Sequence, residues 1–91
     1  MPKAIIRKPS ESTMKRDVKN MRSVLAERLY DLRSANELSQ AFLAELAGVD
    51  RKTINRIENG HFSPSLDTLT RLSVVLKCRL SDLVEAKRTK R

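Results

Sequence analysis

Gly48 is one of only two glycines in 91 residues, and it separates two stretches of different helical character. Before it, Leu43, Ala44, Leu46 and Ala47 follow Ser39 at helical spacing. A serine hydroxyl caps a first turn, and glycine accepts the left-handed backbone that ends a helix. After it, Asp50 can cap a second helix in which Ile54 and Ile57 form an inward edge while Arg51, Lys52, Asn55 and Arg56 stay outside. Two helices joined at a steep angle by about three to four residues need three things. These are a small side chain where the axes approach, a residue tolerant of positive φ in the turn, and apolar residues locking the second helix. Ala44, Gly48, Val49, Ile54 and Ile57 fill those posts, so the stretch from Gln40 to Gly60 predicts two short helices, the second with a polar face rich in donors.

Over LSQAFLAELAGVDRKTINRIENGHFSPSLDTL the chain resembles the helix-turn-helix of the Cro and phage-repressor family, also called the XRE family. The match joins a Ser-Gln start, an LA-x-x-x-G-V turn and an Ile-Glu-Asn-Gly end in register. The resemblance implies an all-α fold, a five-helix repressor-like DNA-binding domain, here with an N-terminal extension. The helix from Arg51 to Glu58 then enters the major groove of double-stranded DNA. Arg51 and Lys52 stand at the leading base-contact positions and Arg56 at a later one, with Asn55 a further candidate. An arginine fork fits the O6 and N7 acceptors of guanine, which predicts a G·C pair in each half-site. Gln40, at the start of its helix, Thr53, Asn59 and His61 are the phosphate-contact candidates, with Arg71 a weaker one. Arg33 and Glu58 match a structural ion pair of the family, in which a partly buried guanidinium needs a carboxylate.

Outside this motif the chain divides by charge. The net charge is +8, but residues 23–84 balance eight basic against eight acidic side chains. Residues 1–22 carry seven basic against two acidic, and residues 85–91 four against one. Basic ends on a neutral body point to a polyanionic partner, although charge runs also serve solubility alone. Expected segments are a basic arm over 1–12, the DNA-binding domain over 13–86 with its core at 23–84, and a basic, disordered tail over 87–91.

The arm, with prolines at 2 and 9 around Ile5 and Ile6, cannot make a long helix. Three uses stay open for it: minor-groove insertion, strand pairing with another subunit through Ala4 to Arg7, and packing of the isoleucines onto the body. From Ser12 or Thr13 a single stripe runs through Met14, Val18, Met21, Leu25, Leu29 and Leu32. It predicts one extended first helix rather than a separate short one, ending at Ser34 to Glu37. Ser65 caps a fourth helix with Leu66, Leu69, Leu72 and Leu76 on one side and Asp67 in its first turn, and Leu80, Leu83 and Val84 supply a fifth.

Two positions depart from the family pattern. Phe42 replaces the glutamate of a capping box, and the expectation is that Ile5, Ile6 or Met14 covers it, against plain exposure. Arg79 replaces a capping serine, which moves the expected start of the fifth helix to Ser81.

An enzyme is not expected: there is no Gly-rich phosphate loop, no Cys and His pair at ligand spacing, and only one histidine. No cofactor or metal is implied, since His61 has no second ligand type beside it. Cys78, the single cysteine, sits in an apolar context as a small core residue and suits a reducing cytoplasm. No apolar run has membrane length and no signal segment opens the chain. Three binding functions remain: a transcriptional regulator, most naturally a repressor that binds a palindromic operator as a homodimer; an antitoxin that holds a toxin protein and autoregulates through the same motif; and nonspecific coating by the basic ends. The family resemblance places the dimer contact at the last helix and the loop before it.

Overall fold

The computed structural model describes residues 5–86. Met1 to Ala4 of the expected arm and the expected tail at 87–91 lie outside the described residues. Five helices follow one another: α1 (Glu11–Ala35), α2 (Gln40–Ala47), α3 (Arg51–Glu58), α4 (Leu66–Leu76) and α5 (Leu80–Val84). Among the described residues there is no strand, and no helix is long and apolar enough to cross a membrane. The all-α, five-helix repressor-like architecture is therefore the one observed.

Most helix boundaries come from local chemistry. Ser10, Ser39 and Ser65 hold extended backbone and accept from the amides of Thr13, Phe42 and Thr68. Each relieves one of the four amides that a helix start leaves without an intrahelical partner. Gly48 ends α2 at φ +70°. Lys77 ends α4 at φ +54° without the freedom of a glycine.

The first helix begins at Glu11 rather than at Ser12 or Thr13, because Ser10, next to Pro9, takes the capping position. The fifth begins at Leu80 rather than Ser81. There the Asp82 carboxylate accepts from the Arg79 amide at 2.8 Å and supplies the cap that the missing serine does not.

The core sits where α1 meets α3 and α5, and where α2 and α4 close on α3 and α5. Leu29, Leu43, Ile54, Ile57, Leu72 and Leu83 are its fully enclosed side chains. Each contributes about 1.5–3 kcal/mol relative to exposure. The pattern misleads in three places. Met14, Val18 and Met21 are 37%, 47% and 46% exposed, because the core engages α1 only from Leu25 onward. Leu66, in the first turn of α4, and Leu46, on the outer side of α2, also face solvent.

Phe42 is likewise half exposed, and Ile5 and Ile6 are open to solvent, so the expected cover is not formed. The reason is length. A 25-residue helix spans about 37 Å, and the arm leaves one end of α1 while α2 follows the other.

Candidate nucleic-acid interface

The second helix of the turn is fastened from below and open above. Asp50 Oδ1 accepts from the Lys52 amide at 3.1 Å and starts α3 two residues after the left-handed Gly48. Ile54 and Ile57 are completely buried, three residues apart on one side. Arg51, Lys52, Asn55 and Arg56 are exposed on the other, while Thr53 is half-buried at the edge. Four donor-bearing side chains therefore project from a helix that its two isoleucines keep from rotating.

The end of α3 is tied to α1. Arg33 Nε donates to Glu58 Oε2 at 2.6 Å and Arg33 Nη2 donates to Glu58 Oε1 at 2.8 Å, a two-pronged pair with side chains only 13% and 6% exposed. The third guanidinium nitrogen, Nη1, donates to the Leu38 carbonyl at 2.8 Å, joining the α1–α2 link to the same point. The hydrogen bond to Glu58 holds the Arg33 pKa above its ordinary value, against the opposing effect of burial. Tyr30 adds its ring 5.4 Å from the guanidinium carbon.

From Glu58 a chain of amides runs outward. Gln40 Nε2 donates to Glu58 Oε1 at 3.0 Å, Asn55 Nδ2 donates to Gln40 Oε1 at 3.4 Å, and Asn59 Nδ2 donates to Asn55 Oδ1 at 3.1 Å. This brings together two phosphate candidates, Gln40 and Asn59, and one base candidate, Asn55. His61 is exposed and joins none of these bonds. Arg71 points elsewhere, its Nη1 donating to the Ala47 carbonyl at 3.2 Å and closing the C-terminal end of α2.

The amide chain was not visible in the sequence. Asn59, the C-cap of α3, follows Asn55 by four positions, a spacing that brings side chains together, but Gln40 comes from another helix. At the start of α2, the amides of Gln40 and Ala41 precede the one that Ser39 caps and have no partner within the helix. Such amides point out of the helix N-terminus, where the dipole favours negative charge.

A short helix capped against a left-handed glycine, locked by buried isoleucines and showing a cationic face, defines a helix-turn-helix nucleic-acid-binding module. The helix-turn-helix family model HTH_3 matches residues 29–83, and the chain belongs to this family of Cro- and phage-repressor-type proteins. It is thus a DNA-binding transcriptional regulator whose partner is double-stranded DNA.

Solved structures agree. The restriction-modification controller protein C.AhdI from Aeromonas hydrophila is 34% identical, with 68% of this chain and 94% of that one covered and a TM-score of 0.66. A HTH_3 family transcriptional regulator from Vibrio cholerae is 30% identical over 72% of this chain and 37% of its own, at a TM-score of 0.69. Hydroxypropylphosphonic acid epoxidase from S. wedmorenis is 31% identical over 74% of this chain, at a TM-score of 0.67, but only 36% of the epoxidase is covered. No curated protein matches the chain.

Proposed function

We propose that this protein is a sequence-specific repressor that binds a palindromic operator as a homodimer, with α3 in the major groove. One observation carries the reading: Arg51, Lys52, Asn55 and Arg56 are exposed on the side of α3 opposite the fully buried Ile54 and Ile57. In this reading Arg51, Lys52 and Arg56 meet base edges together with Asn55, and Gln40, Thr53, Asn59 and His61 lie along the phosphates. The basic residues of the arm at 1–12 and of the tail at 87–91 add affinity without sequence preference. This reading gives the chain no catalytic role; its likeness to the epoxidase extends over 36% of that enzyme.

Support for the homodimer comes from the half-exposed Met14, Val18 and Met21 and from the small size of the chain. A partner that covers α1 lowers the cost of leaving them in water. The same surface favours a second reading, an antitoxin that autoregulates. An apolar groove of about 350 Å³, lined by Val18, Met21, Leu25, Phe62, Leu69 and Val84, suits a helix of a toxin protein.

Selection of bound sequences from a random duplex pool tests the first reading. The expected product is a two-fold symmetric site with a G·C pair in each half and half-site centres about 34–36 Å apart, or a multiple of that. Arg51→Ala should relax one base position by about 1–3 kcal/mol. Trimming Lys87 to Arg91 should weaken all sequences alike and flatten the salt dependence. Full operator preference in a protein with Arg51, Lys52 and Arg56 all changed to alanine overturns the reading. A chain that is monomeric alone and forms a one-to-one complex with a toxic protein selects the antitoxin.

A further inference from the structure

The amide chain beside α3 has a direction, and its direction has a consequence for the bases that α3 can recognise. Amide oxygen and nitrogen exchange places by a half-turn of the side chain, so a lone Asn or Gln has no preferred sense. A carboxylate gripped by a guanidinium is different, because it can only accept. Glu58 is held in this way by Arg33 at 2.6 and 2.8 Å, with 6% of its side chain exposed. Gln40 must therefore turn its nitrogen toward Glu58, at 3.0 Å, and its oxygen away. That oxygen calls for a donor, and Asn55 meets it with Nδ2 at 3.4 Å, the longest link of the series. Asn55 Oδ1 then lies on the other side, where Asn59 Nδ2 donates at 3.1 Å.

Asn55 remains exposed between Arg51, Lys52 and Arg56. Each of its amide atoms has used one of two hydrogen-bonding directions. Free to meet a base are one N–H and one oxygen lone pair, in the sense that Gln40 fixes. Adenine alone offers the complement on its major-groove edge, an N7 acceptor beside an N6 donor. Guanine sets two acceptors there, and the pyrimidines present a single polar group each.

We infer that Asn55 reads an adenine in each half-site, and that Glu58, acting through Gln40 as a positioning residue, sets the sense of the Asn55 amide. The inference rests on the reading of α3 as the helix that enters the major groove. It adds a second base to the guanine assigned to the arginines, and it gives Gln40 a role distinct from contact with phosphate.

The test is sequence selection from a random duplex pool with the full-length chain at one fixed salt concentration. Wild type, Asn55→Ala, Gln40→Met, the double variant and Arg51→Ala are compared position by position, with thermal melting as the check on folding. An adenine position should emerge with the wild type, and Asn55→Ala should flatten it about tenfold, the size of one bidentate contact. Gln40→Met should lower the same preference between about 2- and 10-fold, the value of holding one side chain still. The double variant should lose no more there than Asn55→Ala alone. Loss of a phosphate contact would instead lower every sequence equally.

If Asn55→Ala leaves all positions unchanged while Arg51→Ala still flattens its own, adenine reading is wrong and the groove-entering helix stands. If Gln40→Met weakens all sequences alike, Gln40 does not orient Asn55. If wild type enriches no sequence, the reading of α3 itself fails.

Discussion

Cutting the Arg33–Glu58 pair on one side should harm the protein more than deleting it altogether. Arg33→Leu leaves the Glu58 carboxylate, 6% exposed, with Gln40 as its one remaining donor, and it also leaves the Leu38 carbonyl without Nη1. A buried charge stripped of its partner costs about 3–5 kcal/mol. Glu58→Leu strands the guanidinium, 13% exposed, with only Leu38 to receive it, and falls in the same range of about 3–5 kcal/mol.

In the double variant no charge is left behind. What persists is one unpaired carbonyl and one unpaired amide, roughly 1–3 kcal/mol each at most, less whatever the two leucines gain by packing. The double variant should therefore be about as stable as either single one or more so, with a coupling energy of several kcal/mol. A domain of this size holds about 5–15 kcal/mol in total, so the single variants should unfold in little urea. Arg33→Lys keeps the charge but loses the fork, and should lie between them and wild type. Urea unfolding followed by helical circular dichroism measures all four. Additive losses, with the double variant as unstable as the two single ones together, would refute the reasoning.

Three further outcomes follow from individual residues. Lys77→Gly should raise stability by up to about 1 kcal/mol in the same unfolding assay, since Lys77 holds φ +54° at the end of α4 and a left-handed residue with a Cβ costs about 1–2 kcal/mol. Gly48→Ala should lower it by about 1–2 kcal/mol, because φ is +70° there; a new Cβ meets only the movable tip of Arg71 at 3.1 Å, so strain and not a clash sets the size. Cys78 should react slowly with iodoacetamide at mildly alkaline pH compared with an unfolded control, because burial first and Asp82 second push its thiol pKa up, only partly offset by Arg28.

Features carried by one turn of chain could be read from the residues alone. The serines at 39 and 65, Asp50 and Gly48 act on backbone within three residues of themselves, and each does in the fold what its type and position suggested. Burial of Ile54 and Ile57 was equally readable, since an eight-residue helix with two isoleucines has one apolar side. Contacts between elements were readable only through the family resemblance, as with Arg33 and Glu58, which are 25 positions apart. Where neither aid applied, nothing in the residues pointed to the bond: Arg22 Nε donating to Ser63 Oγ at 2.8 Å and Arg28 Nε to the Asp82 carbonyl at 2.8 Å join α1 to distant parts of the chain. Phe42 stays uncovered because the length of α1, not the apolarity of the arm, decides which segments can meet.

The first half of α1 shows why periodicity overstates a core. An apolar stripe records which side chains share a face, but a face is buried only where another element reaches it. Met14, Val18 and Met21 continue the spacing of Leu25 and Leu29 without interruption, yet they lie outside the enclosed core, Val18 and Met21 along an open groove that Phe62, Leu69 and Val84 also line. Helix formation itself does not require their burial. Starting a helix is the unfavourable step, and the packed turns around Leu29 supply that start, after which each added residue gains a backbone hydrogen bond. Ser10 then closes the far end by accepting from Thr13 at 3.1 Å. The helix thus extends past its own core, and it holds three partly exposed apolar side chains in a rigid row. A row of this kind costs solubility unless something covers it. In the homodimer proposed above, α1 is therefore one surface for the partner contact, beside the partly buried Leu80 and Val84 of α5 and the exposed Val74 that precedes it.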